Sequence, residues 1–230
     1  MSQQENPKQT EAKVEVVEQE LYAKHKKVYA RETHGKFNSL RWFFVFLTQA
    51  IFYLGPWLQW NGRQALLFDL AERKFYLFGL VLWPQDVIYL SVILLLSAFG
   101  LFLFTAVAGR LFCGYACPQT VYTEIFMWIE NKLEGDRNAR VKLDQSPMSA
   151  RKFRIKASKF LLWGVLSLWT GITFVGYFMP MHDLMHDLIT LTISGWSAFW
   201  VFFYSAFCFL QAGFMREQVC KYMCPYARFQ

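Results

Sequence analysis

The chain has 230 residues, of which 55% are hydrophobic, 19% aromatic and 18% charged, with a formal net charge of +7. Soluble globular proteins sit nearer to about 45–50% apolar and about 25% charged. Intrinsic disorder, collagen and a polar repeat array are therefore excluded, and a membrane protein is indicated.

Four stretches, 42–62, 87–109, 160–181 and 188–215, carry no Asp, Glu, Lys, Arg or His. Each is as long as the roughly 20 mainly apolar residues that a helix needs to cross the hydrocarbon core. The predicted fold is an all-α membrane protein of four transmembrane helices, about 39–60, 87–109, 160–181 and 190–215. Lys and Arg number eight up to Arg41, three in 63–86, ten in 110–159 and three from Arg216 onward, so alternate sides total 21 against 3. The positive-inside rule then puts the N-terminus, the middle loop and the C-terminal segment in the cytoplasm. No secretory signal precedes the first apolar run, which reads as a retained span.

In chain order, residues 1–38 read as a polar, solvated cytoplasmic tail. Trp42, Trp57 and Trp60 suit interfacial positions at the two ends of the first span. Between spans 1 and 2, two short apolar runs flank a charged turn at Glu72–Lys74, which predicts a small outer hairpin. After the second span, Val121, Ile125, Trp128, Ile129 and Leu133 recur at helical spacing with Glu124, Glu130 and Lys132 off the stripe. That pattern predicts an amphipathic helix on the inner membrane surface. The basic segment from Gly135 to Lys159 suits anionic lipid rather than nucleic acid.

Spans 1–2 end in Arg110-Leu-Phe-Cys-Gly-Tyr-Ala-Cys-Pro, and spans 3–4 in Arg216-Glu-Gln-Val-Cys-Lys-Tyr-Met-Cys-Pro. The chain therefore reads as two parallel helical-hairpin repeats, each closing on C-x-Y-x-C-P. Four of the five cysteines, Cys113, Cys117, Cys220 and Cys224, fall in these motifs on the reducing side, where clustered cysteines bind metal or do redox work. If the motifs are helical, spacing of four brings both sulfurs of a pair onto one face. Pro118 and Pro225 suit the first position of a new helix, which puts Cys117 and Cys224 at caps, where an anion is favoured. All four could converge on one centre, and its occupant is left open between a [4Fe–4S] cluster, Cu(I) and a dithiol cycling to disulfide. Cys208, inside span 4, reads as structural. A second, weaker candidate is the outer turn, where His182, His186, Met181 and Met185 offer imidazole and thioether ligands to copper.

Phe112-Cys-Gly-Tyr-Ala-Cys-Pro-Gln-Thr-Val-Tyr-Thr-Glu and Cys220-Lys-Tyr-Met-Cys-Pro-Tyr-Ala-Arg-Phe-Gln resemble the signature segments of the CcoG (RdxA, FixG) family. These are bacterial inner-membrane iron–sulfur proteins related to NapH-type polyferredoxins, and the resemblance runs from about Tyr29 onward. It implies a role in assembling the cbb-type cytochrome c oxidase by reducing Cu(II) to Cu(I), with oxidase subunits and copper-delivery proteins as partners, and a homodimer as one possible assembly. It also implies [4Fe–4S] clusters, mostly in a cytoplasmic region beyond the second C-x-x-x-C-P. The sequence stops at Gln230, directly after that motif, so a fragment or a truncated product is expected. Two other functions stay open: a non-enzymatic copper-handling scaffold, and a NapH-like anchor passing electrons from quinol.

Overall fold

The computed structural model describes residues 35–70, 73–108, 111–147, 149–216 and 218–224. The polar tail up to residue 34, Glu72 of the predicted turn, Arg110 and the residues from Pro225 onward lie outside them. The chain is mostly helical, with α1 Lys36–Leu54, α2 Val87–Ala108, α3 Leu111–Tyr115, α4 Pro118–Glu134, α5 Arg137–Gln145, α6 Ala150–Val175, α7 Met181–Ile189 and α8 Gly195–Gly213. Two helices are long and apolar enough to cross a membrane, Ile88–Val107 within α2 and the whole of α6. None of the apolar window of α2 is buried by protein. Such a surface would be costly in water, and it suits a lipid solvent.

Local chemistry sets the ends of these helices. Asp86 sits in the 3₁₀ turn Pro84–Asp86 before α2, and the Trp83 amide donates to its carboxylate at 3.2 Å. An acidic group at a helix start is favourable. At the other extreme, α6 begins ten residues before the charge-free run, because Arg151, Lys152, Arg154, Lys156 and Lys159 all continue the helix. Lys152 is held there by the carbonyls of Asp144 and Ser146, at 3.0 and 2.7 Å.

The segment between α1 and α2 forms strands as well as a hairpin. β1 Gln59–Trp60 and β2 Arg63–Gln64 pair around Asn61 and Gly62, both at positive φ (57° and 78°). Asn-Gly is the sequence that a two-residue turn of this hand requires. β3 Leu66–Asp69 pairs antiparallel with β4 Lys74–Leu77, across the turn where the sequence predicts a hairpin. A third strand, β5 Leu80–Leu82, extends this into a meander. The Phe68 amide donates to the Tyr177 carbonyl at 2.8 Å, which fixes the sheet to the end of α6.

The core lies along α6 and α8, the most extensive helix pair. Small residues allow the close approach: Gly171, Ser167 and Ser205 are buried between the two helices. At one end Ile172, Val175 and Val201 pack with Met181 and Leu184 of α7. At the other, Phe126 of α4 stacks on Trp163 beside Ala212 (centroids 5.1 Å apart).

Among the described residues α1 packs against α3 and α6, and α2 contacts α3 and the turn before it. On α4 the face turned into the protein takes in Val121 of the predicted stripe and residues off it. Val121, Phe126, Glu130 and Glu134 are inside, and Trp128 is exposed. Two carboxylates turn inward because a lysine and an arginine await them.

Candidate metal centre

Both C-x-x-x-C-P motifs fold into the same local device. At the first, the Cys117 amide donates to the Phe112 carbonyl at 3.1 Å, and at the second the Cys224 amide donates to the Val219 carbonyl at 2.8 Å. Each is a five-residue closure ending on the second cysteine. Cys117 (φ −64°, ψ 125°) and Cys224 (φ −82°, ψ 110°) share the extended backbone that a following proline imposes. Cys117 then caps α4, with Pro118 in its first turn.

The surroundings of the two turns differ. Thr120 Oγ1 donates to the Cys113 carbonyl at 2.7 Å, and Tyr115 packs edge-on against Phe44 of α1. The second turn, Val219–Met223, contains no buried residue, and Cys220 and Tyr222 are exposed. No described cysteine is in a disulfide. Among the described residues no three of His, Cys, Asp and Glu gather as a metal-holding group. Each turn thus carries two thiols, half of the four that a [4Fe–4S] cluster takes.

At the outer turn, Met181 is 1% exposed and packs with Leu184 in the core. Gly176 lies against its sulfur. His182 Nε2 and Gln59 Nε2 are hydrogen-bonded at 2.9 Å, with Trp57 edge-on to the ring. The His186 side chain is exposed, 3.8 Å from Asp187. Met185 packs at the margin of the core. The structure therefore commits the four residues singled out there to different surroundings.

A feature that the sequence pattern missed is a buried ion network. Lys159 Nζ pairs with Glu134 Oε1 at 2.6 Å and with Glu130 Oε1 at 3.5 Å. Arg216 donates to Glu130 Oε2 at 2.9 Å. Glu130, Glu134 and Lys159 are all below 9% exposed. Lys159 and Arg216 also lie over the Trp163 ring, at 5.1 and 5.3 Å. Burial alone would raise the Glu130 carboxyl, but Arg216, Lys159 and Arg140 together hold it below its ordinary value of 4.5. An acid held low contributes stability that is full above that ordinary value and is lost as pH falls through the lower folded one. The thermal midpoint is thus expected to drop as pH is taken below 4.5, and less so in Glu130→Gln. A pH-independent difference between the two proteins across that range would contradict this.

Beside the first turn, a cavity of about 410 Å³ opens between α1, α4, α6 and α8. Its walls are mainly apolar, with Phe52, Phe174 and Phe207, and Gln49, Tyr122 and Cys208 supply polar groups. Burial raises the Tyr122 hydroxyl well above its ordinary value, with Tyr53 adding to the shift. That keeps it a neutral hydrogen-bonding group.

Apolar helices with two cysteine-pair turns point to a membrane iron–sulfur protein, and comparison with known proteins agrees. Residues 90–135 match a family described as a 4Fe-4S binding domain. Protein RdxA of Cereibacter sphaeroides is 40% identical over 215 residues, covering 91% of this chain and 46% of RdxA. Nitrogen fixation protein FixG of Rhizobium meliloti is 39% identical over 215 residues, covering 91% of this chain and 41% of FixG. Protein RdxB of Cereibacter sphaeroides is 40% identical, with 45% of its length covered. The chain belongs to the RdxA/FixG family, and it spans less than half the length of these relatives. No solved structure matches it.

Proposed function

We propose that the chain is the membrane part of a redox protein that reduces Cu(II) to Cu(I) during assembly of a cbb-type cytochrome c oxidase. Cys113, Cys117, Cys220 and Cys224 are its proposed metal ligands. The observation that carries this reading is the matched backbone closure of the two cysteine turns, each holding two cysteines four residues apart. Paired soft thiolates favour Cu(I) over Cu(II), so such a turn holds the reduced product better than the substrate. Each Cu(II) takes up one electron, and a [4Fe–4S] cluster, when bound, supplies one-electron transfer.

Four spans remain our reading of the topology. α1 and α8 have 19 residues each, about 28 Å at 1.5 Å per residue, close to the hydrocarbon thickness. Their Trp, Tyr and Gln content lowers their mean hydropathy below that of α2. With the Lys and Arg asymmetry, this supports an inner-membrane protein with both cysteine turns on the cytoplasmic side. Oxidase subunits, copper-delivery proteins and a second copy of the chain are the partners consistent with this role.

One observation favours a second reading. The cavity beside Cys117 is of a size and polarity to admit the head of a lipid-soluble ring molecule, as an anchor that draws electrons from quinol would need. One experiment separates the two. Purified protein, chemically reduced without oxygen, is mixed with Cu(II), and Cu(I) formation is followed with a chromophoric chelator. The first reading expects Cu(I) to form, and to fall sharply in Cys113→Ser and Cys220→Ser. Reduction of the protein by a quinol analogue with no response to copper would select the second. Copper bound without any reduction would leave only a copper-handling scaffold.

A further inference from the structure

We infer that Glu130 is a positioning residue for the second cysteine turn, acting through Arg216. The turn Val219–Met223 buries none of its own residues, so its place must be set largely by the chain that enters it. That chain is tied down at Arg216, four residues before Cys220. Arg216 Nε donates to the Ala212 carbonyl at 3.1 Å, which satisfies an open acceptor at the end of α8. Its NH2 group donates to Glu130 Oε2 at 2.9 Å. The guanidinium lies over Trp163, and the same ring presses on Gly213 at the helix end, 3.2 Å from where a Cβ would stand.

Arginine can make these contacts together because its donors form a rigid planar fork. Glu130 in turn belongs to α4, the helix that Cys117 caps. Thirteen residues separate Cys117 from Glu130, about 20 Å of helix at 1.5 Å per residue. One rigid helix therefore begins at the first cysteine turn and grips the lead-in to the second, fixing the two relative to each other. Lys159 has Glu134 as a nearer partner than Glu130 (2.6 against 3.5 Å), so the Arg216 contact is the particular task of Glu130.

The test is cysteine labelling by N-ethylmaleimide on the whole chain in native membranes, without added metal, with each cysteine-containing peptide quantified by mass spectrometry. Losing a charge-assisted hydrogen bond in Glu130→Gln is expected to raise the labelling rate of Cys224 by about tenfold. Cys220, already exposed, should change little, and Cys113 and Cys117 should keep their wild-type rates. Glu130→Asp should restore much of the protection, and Glu134→Gln, which removes an equally buried carboxylate from the same network, should leave Cys224 unchanged. If Glu130→Gln fails to accumulate, Arg216→Lys reads the same contact, since lysine keeps the charge but not the fork. Unchanged labelling of Cys224 overturns the inference, as does an equal rise at all four cysteines, which would report general loosening. The readout involves no copper and no electron transfer, so its failure is distinct from failure of the copper reading.

Discussion

Lys159→Met is expected to lower the apparent thermal midpoint of the detergent-solubilised protein by about 6–20 °C. The substitution keeps the length of the side chain and removes its charge. Glu134 then sits below 9% exposure with no cation at 2.6 Å, and Glu130 keeps the Arg216 contact and the charge of Arg140. Breaking a buried pair by removing one partner costs about 3–5 kcal/mol, and each kcal/mol shifts the midpoint of a chain this size by about 2–4 °C. Adding Glu134→Gln to Lys159→Met should recover part of the loss, because the uncompensated charge goes too. A single variant within about 2 °C of wild type, well short of that drop, would show that the network is solvated and contributes little.

The second large effect is at the α6–α8 crossing. A Cβ on Gly171 would stand 2.7 Å from the Val201 carbonyl and 3.0 Å from the Ser205 amide, and would run into Ser205 Oγ. The first two are backbone, so the helices themselves must part. Gly171→Ala is therefore expected to destabilise by about 1–3 kcal/mol, outweighing the roughly 1 kcal/mol that alanine gains over glycine in a helix. Gly171→Leu should abolish stable insertion. Gly164 is the internal control, on the same helix with nothing within 4 Å of its notional Cβ. Gly164→Ala should be neutral or stabilising, and equal effects of the two alanine substitutions on thermal stability would contradict the close crossing.

How far the sequence foretold this arrangement differs from element to element. The run without charges at 87–109 matches α2 almost residue for residue, because nothing but the run's own composition sets that helix. The same rule misplaces the start of α6. Charges there continue the helix into a network that only the tertiary fold completes. On α4 the hydrophobic period sets Glu130 off the apolar stripe, but periodicity has no means of knowing that Lys159 and Arg216 will meet it. The hairpin between spans is legible in its charged turn, and Asn61-Gly62 is the sequence signal of the second, two-residue turn. For the cysteines, the repeated C-x-Y-x-C-P foretold the shared turn and the capping of α4. It did not foretell that Tyr115 packs on Phe44 while Tyr222 is 76% exposed. At the outer turn, residue type suggested ligands where Met181 is filling core space.

The most direct measurement is an anaerobic Cu(I) titration of the purified chain against a competing chelator, comparing wild type with Cys113→Ser/Cys117→Ser, Cys220→Ser/Cys224→Ser and the fourfold variant. If the two turns are the soft-metal sites, tight copper should fall with loss of either pair and vanish when both are lost. Copper held undiminished by the fourfold variant would contradict them as the binding residues.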